Sequence, residues 1–99
     1  MSSQPRTIRI INRKGLHARA SAKLAELALK LPALVTVSFE GESADARSIM
    51  DLLCLGAGMG NSVELEADGE GACEALNAVE MLFRDGFGEL EEDAACTCK

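Results

Sequence analysis

Tryptophan and tyrosine are absent from this chain, and Phe39, Phe83 and Phe87 are its only aromatic residues. That removes the stacking platforms on which single-stranded nucleic acid is held. A net charge of −6 removes the cationic surface that a phosphate backbone requires, so no nucleic-acid partner is expected. No apolar run approaches the roughly 20 residues of a membrane span, and Met1-Ser2-Ser3-Gln4-Pro5 leads into no signal-like hydrophobic stretch. The expectation is a cytoplasmic protein with no membrane contact and reduced cysteines. Metal-ligand clusters are also missing. Cys96 and Cys98 form a C-x-C with no histidine near it, a weak set, so neither a metal nor another cofactor is expected. Gly56-x-Gly58-x-Gly60 precedes a strand-like run instead of a helix and does not fit the dinucleotide fingerprint. With no paired base and no second histidine, the chain does not read as an independent enzyme.

What is present is the pattern of one small domain. Thr7 to Ile11 alternate as a first strand, with Ile8 and Ile10 on one face. Ala18 to Lys30 are rich in Ala, Leu, Lys and Glu, strong helix formers. Ala20, Leu24, Leu27 and Leu31 recur at helical spacing as a buried stripe, and Pro32 stops the helix. Leu34 to Phe39 and Ser43 to Ala46 read as strands joined by a hairpin at Glu40-Gly41-Glu42. Ser48 to Leu55 read as a short helix that Ser48 caps, followed by a flexible glycine loop. Asn61 to Ala67 alternate most cleanly, and Ala72 to Arg84 form a last helix with Leu76, Val79 and Phe83 inward. Strands with one dry and one wet face imply an antiparallel sheet covered on one side. The expected fold class is therefore α+β: an open-faced β-sandwich in the order β-α-β-β-α-β-α, with four antiparallel strands and three helices on one face. One domain spans residues 1–90, and residues 91–99 make an acidic, disordered tail.

The acids have one conspicuous gap. Residues 1–25 hold Arg6, Arg9, Arg13, Lys14, Arg19 and Lys23 and no Asp or Glu. Within that basic stretch lies His17, the only histidine, in Gly15-Leu16-His17-Ala18-Arg19-Ala20-Ser21. The imidazole should stand where a strand hands over to a helix. Orphan backbone N–H groups and a partial positive charge there favour phosphate. A histidine at such a place is also explained as a helix cap or a solvated loop residue. Its cationic neighbours, with Arg19 offering a planar guanidinium, favour a phosphoryl acceptor. An imidazole keeps much of its neutral form at physiological pH and can attack phosphorus through a ring lone pair.

Gly15-Leu16-His17-Ala18-Arg19, followed by Ser48-Ile49-Met50 and the closing Phe87-Gly88-Glu89, resembles the HPr family of bacterial phosphotransferase-system phosphocarriers, over about residues 7 to 90. The resemblance implies a relay and not a catalyst. Enzyme I would pass a phosphoryl group, ultimately from phosphoenolpyruvate, to Nδ1 of His17, and His17 would pass it to a IIA protein or domain. Arg19 would steady the phosphate. Ala18, Ala20, Lys23, Ile49, Met50 and Leu53 would meet the partners, and the protein would act as a monomer. Where the family commonly has proline after the arginine, this chain has Ala20. That departure tilts the reading towards the nitrogen-related branch of the system and leaves the sugar-uptake branch open.

Ser48 carries two compatible roles. As an N-cap it is worth about 1 kcal/mol to its helix. By the resemblance it is also a regulatory phosphosite for an HPr kinase/phosphorylase. Ile49, Met50, Leu52, Leu53 and Leu55 are too many apolar side chains for two helical turns to bury, which points to a docking patch. Leu52 and Leu55 are assigned to the core. Cys54 and Cys73 are expected as small buried side chains on helices. A regulatory module that docks according to its phosphorylation state is the alternative function on the same fold.

Overall fold

The computed structural model describes residues 5–88. The expected acidic tail, with Cys96 and Cys98, lies outside the described residues. The elements are β1 (Arg6–Arg9), α1 (Ala18–Lys30), β2 (Leu34–Phe39), β3 (Glu42–Asp45), α2 (Ile49–Leu55), β4 (Ser62–Asp68) and α3 (Ala72–Arg84), closed by a 3-10 turn over Gly86–Gly88. The sheet order is β1-β4-β2-β3. Every pairing is antiparallel, with Ile8 opposite Val63, Val37 opposite Leu65 and Val37 opposite Ala44.

Period-two alternation sets which face is covered. Along β4, Val63, Leu65 and Ala67 are buried while Ser62, Glu64, Glu66 and Asp68 are exposed. Ile10, Val35, Val37, Ala44 and Ala46 join the same layer. Leu24 of α1, Leu52 of α2, and Leu76, Val79 and Phe83 of α3 pack onto it as one core. The other face carries hydroxyls and carboxylates, and a cleft of about 490 Å³ lined by Thr7, Ser38, Phe39, Ser43 and Glu64 opens there, away from the helices. The hairpin between β2 and β3 turns through Glu40 (φ 50°) and Gly41 (φ 85°). Two consecutive left-handed residues match the twist of paired strands.

The helices keep their expected bounds, but α1 is rotated about its axis. Its buried residues are Ala20, Ser21, Leu24, Ala25 and Ala28, while Leu27 and Leu31 are only partly covered. Small side chains at the centre of the contact let helix and sheet approach closely, and the larger leucines flank it. Leu31, just before Pro32, is extended at φ −93° and ψ 140°, the region a following proline imposes. At the other end of the fold, Phe87 adopts φ 57°. Its ring returns onto Phe83 at a centroid distance of 4.8 Å, edge to face.

Two cysteine expectations are corrected. Cys54 and Cys73 are both exposed. On α3 the inward stripe is Ala72, Ala75, Leu76, Val79 and Phe83. Cys73 follows Ala72 by one residue, about 100° around a helix of 3.6 residues per turn. No helix is long and apolar enough to cross a membrane among the described residues.

Candidate functional site

The segment between β1 and α1 is a folded loop held by its own backbone. The Asn12 side-chain amide, fully buried, donates to the Gly15 carbonyl at 2.9 Å. The Gly15 amide donates to the Asn12 carbonyl at 3.2 Å. This double closure leaves Arg13 and Lys14 exposed at the tip. Gly15 has φ +63°, and a Cβ there would lie 2.5 Å from Gly58 Cα and 2.7 Å from the Ala57 carbonyl oxygen. Only glycine fits so close an approach. Leu16 is buried, and its amide donates to the Ala57 carbonyl at 3.1 Å.

The glycine loop after α2 is correspondingly ordered, which corrects the expectation of flexibility. Gly56 caps α2 in the left-handed region. The Gly58 amide donates to Asn61 Oδ1 at 2.8 Å. The Gly60 amide donates to the Ile10 carbonyl at 2.8 Å, and the Ile10 amide to the Asn61 carbonyl at 2.9 Å. Segments more than forty residues apart thus lock together immediately before His17.

His17 is the N-cap residue of α1, extended at φ −79° and ψ −176°. Its carbonyl accepts from the Ser21 amide at 2.8 Å, so its backbone has already entered the helix. Its side chain forms no capping bond, and no acid lies in the first turn. The first turn of any helix presents N–H groups without an acceptor inside the helix, and here no carboxylate of that turn competes for the local positive field. Ser21, fully buried, donates from Oγ to the Leu16 carbonyl at 3.2 Å and fixes the step into the helix. His17 itself is half-buried; Ala18 and Arg19 beside it are exposed and Ala20 is buried.

The basic stretch of the sequence does not stay together in space. Arg6 Nη1 reaches Asn77 Oδ1 at 2.6 Å and Glu80 Oε1 at 3.1 Å, tying β1 to α3. Arg9 alternates with half-buried Ile8 and buried Ile10 and faces the open side of the sheet. Lys23 Nζ donates to the Phe87 carbonyl at 2.6 Å. Arg13, Lys14 and Arg19 are the cations next to His17 in the chain, all exposed.

Ser48 caps α2 as expected, its Oγ accepting from the Asp51 amide at 3.2 Å. The loop meets His17's neighbour at Ala57, beyond the other end of this seven-residue helix. A helix of that length spans about 10 Å, so Ser48 and His17 are at opposite ends of α2. Along it, Ile49 and Met50 are exposed, at 40% and 68%; Leu53 is half-buried and Leu52 fully buried. Just before Ser48, the Asp45 carboxylate accepts from Arg47 Nε at 3.2 Å, Nη2 at 3.0 Å and the Arg47 amide at 2.9 Å. These bonds, the side-chain ones foremost, hold the Asp45 carboxyl below its ordinary range.

Sequence reasoning placed Gly15 and Ser21 in the stretch around His17 without giving them a role, and missed Asn12 and the 57–61 loop as parts of the site. Gly15 and the three later glycines were the available signal, since close backbone approach is one of the reasons a chain uses glycine. Among the described residues, no group of His, Cys, Asp and Glu could hold a metal ion.

Comparison with known proteins covers most of the chain. The family model described as "PTS HPr component phosphorylation site" matches residues 4–85. A phosphocarrier protein HPr from Cupriavidus necator is 49% identical over 82 residues, 83% of this chain and 92% of its own. A phosphocarrier protein NPr from Klebsiella oxytoca is 43% identical over 84 residues, 84% of this chain and 93% of its own. Among solved structures, HPr-C-His from Thermoanaerobacter tengcongensis superposes with a TM-score of 0.83 at 37% identity, covering 88% of this chain and 98% of that one.

Proposed function

This chain belongs to the HPr family of phosphocarrier proteins of the phosphotransferase system, and from that premise we propose that His17 is its phosphoryl acceptor, loaded by enzyme I and unloaded by a IIA protein or domain. The observation that carries the reading is His17 as the N-cap residue of α1, with no side-chain capping bond and no first-turn acid. The Nδ1 lone pair attacks phosphorus, and the bond from phosphorus to its donor on enzyme I breaks, its electron pair returning to the donor. Onward transfer is the same step with His17 as the leaving group. Such transfers depend on in-line positioning and charge stabilisation. In this chain the rigid 12–16 loop supplies positioning, and the first-turn amides and the Arg19 guanidinium supply charge. Exposed Ile49 and Met50, with half-buried Leu53, supply apolar docking area along α2. The relay is assigned to the cytoplasm.

Incubation with phosphoenolpyruvate and the cognate enzyme I tests the assignment. The expected product gains the mass of one phosphoryl group, loses it in acid, and does not form with His17→Ala. Arg19→Ala should load more slowly, by roughly tenfold, the rate change of about 1.4 kcal/mol in a barrier. An unmodified protein with a confirmed cognate enzyme I would remove the relay.

The cap at Ser48 supports a second, regulatory role. A phosphate on Ser48 Oγ would remain at the N-terminus of α2, where the helix field tolerates it. It would also place negative charge next to Ile49 and Met50, so docking should weaken while the fold survives.

A further inference from the structure

Sulfur lines the outer side of α2 and the loop after it. Met50 stands two residues beyond the capping Ser48, Cys54 follows it at i+4 on the same helical face, and Met59 sits in the 57–61 loop. All three side chains are exposed. Met50, Met59 and Met81 are 68%, 60% and 71% exposed, so access alone does not separate the methionines. Position does. α2 packs beside β3 at one edge of the sheet, whereas Glu80, next to Met81 on α3, is tied to Arg6 of β1 at the other. Met50 shares its helix with exposed Ile49 and half-buried Leu53, the apolar strip of α2.

α2 does not depend on Met50 for its place. Leu52, fully buried, anchors the helix to the core, and Ser48 Oγ caps it through the Asp51 amide. A chemical change at Met50 Sδ leaves both anchors intact and alters only the outer surface. A thioether is apolar and adapts to the surface it meets, whereas its sulfoxide is polar and chiral. We propose that Met50 is a reversible oxidation site through which a peroxide weakens docking along α2. The Sδ lone pair attacks one peroxide oxygen. The S–O bond forms and the O–O bond breaks, and the second oxygen leaves as water with the proton that the first gives up. Sulfur is oxidised and the peroxide reduced. Methionine sulfoxide reductases reverse the change, with thiols as the reductant. The modification itself does not depend on the relay. Its effect rests on the phosphocarrier reading, in which α2 meets the partner.

The test uses the full chain. It is treated with hydrogen peroxide, freed of it, and reduced with dithiothreitol, which returns disulfides and sulfenic acids to thiols and leaves sulfoxides in place. Loading of His17 by enzyme I and phosphoenolpyruvate is then followed at limiting concentration, each protein against its own untreated form. Wild type and Met81→Leu are expected to load roughly tenfold more slowly after treatment, the loss of part of one buried apolar side chain. The added oxygen should map to Met50, and methionine sulfoxide reductases should restore the rate. Met50→Leu should show no change on treatment. Untreated Met50→Gln, polar and of similar length, should load as slowly as treated wild type. Wild type that keeps its untreated rate with Met50 oxidised would overturn the proposal. So would a Met50 that stays reduced while Met59 and Met81 are oxidised. A loss that persists in Met50→Leu would overturn it equally, since another sulfur would then carry the effect. An untreated chain that a confirmed cognate enzyme I does not load would remove the relay itself, and the effect on docking with it.

Discussion

Two residues outside the chemistry set the conditions for it. Gly15 accepts a left-handed backbone and lets Gly58 and Ala57 approach within less than a side chain's width. Gly15→Ala should therefore cost about 3 kcal/mol, from strain and overpacking together. Chemical denaturation would show it as a lower midpoint at unchanged slope. Asp45 acts through charge. Its carboxyl is held below the ordinary range by Arg47, so the folded state binds its proton less readily than the unfolded chain does. That stabilisation is complete above the unfolded value, about pH 4, and is lost as pH falls through the lower folded value. With the side chains 38% and 48% exposed, it amounts to less than about 1 kcal/mol. Asp45→Asn should lower stability by that small amount at pH 7 and by progressively less as the pH falls below about 4, as read from denaturation midpoints across the range. The place of His17 at the entry to α1 was legible because a helix-forming run follows it directly. Asn12 and Gly15 were not, because their roles exist only once residues 57–61 arrive from far along the chain.

The elements differ in how much of each was written locally. β4 and α3 carry their burial in plain alternation and helical stripes, so their inward faces follow from period alone. α1 does not, since Leu27 and Leu31 of its periodic stripe are only partly covered and small Ala and Ser residues take the centre of the contact. Cys54 and Cys73 show the same limit: membership of a helix says nothing about face until the neighbours' stripe is fixed. The cap of α2 was readable because it needs only a serine and an amide three residues on. Ser48→Ala should cost about 1 kcal/mol. That corresponds to a fall of about 4–8 °C in melting temperature for a domain of this size, with His17 phosphorylation retained, since the cap and His17 lie at opposite ends of α2.

At the scale of the whole molecule, the open-faced arrangement followed from one wet and one dry side on each strand. The sheet order β1-β4-β2-β3 did not, since pairing between distant strands depends on registers that no single segment encodes. Separation of layers also separates duties. The helical layer carries His17, Ser48 and the exposed apolar turn of α2, while Thr36, Ser38, Ser43 and Glu64 look out from the opposite side of the sheet. An affinity handle or a surface linker grafted onto Ser43 would anchor the molecule by its back. Molecules fastened to a sensor chip in this way would all present the imidazole outward to passing partners.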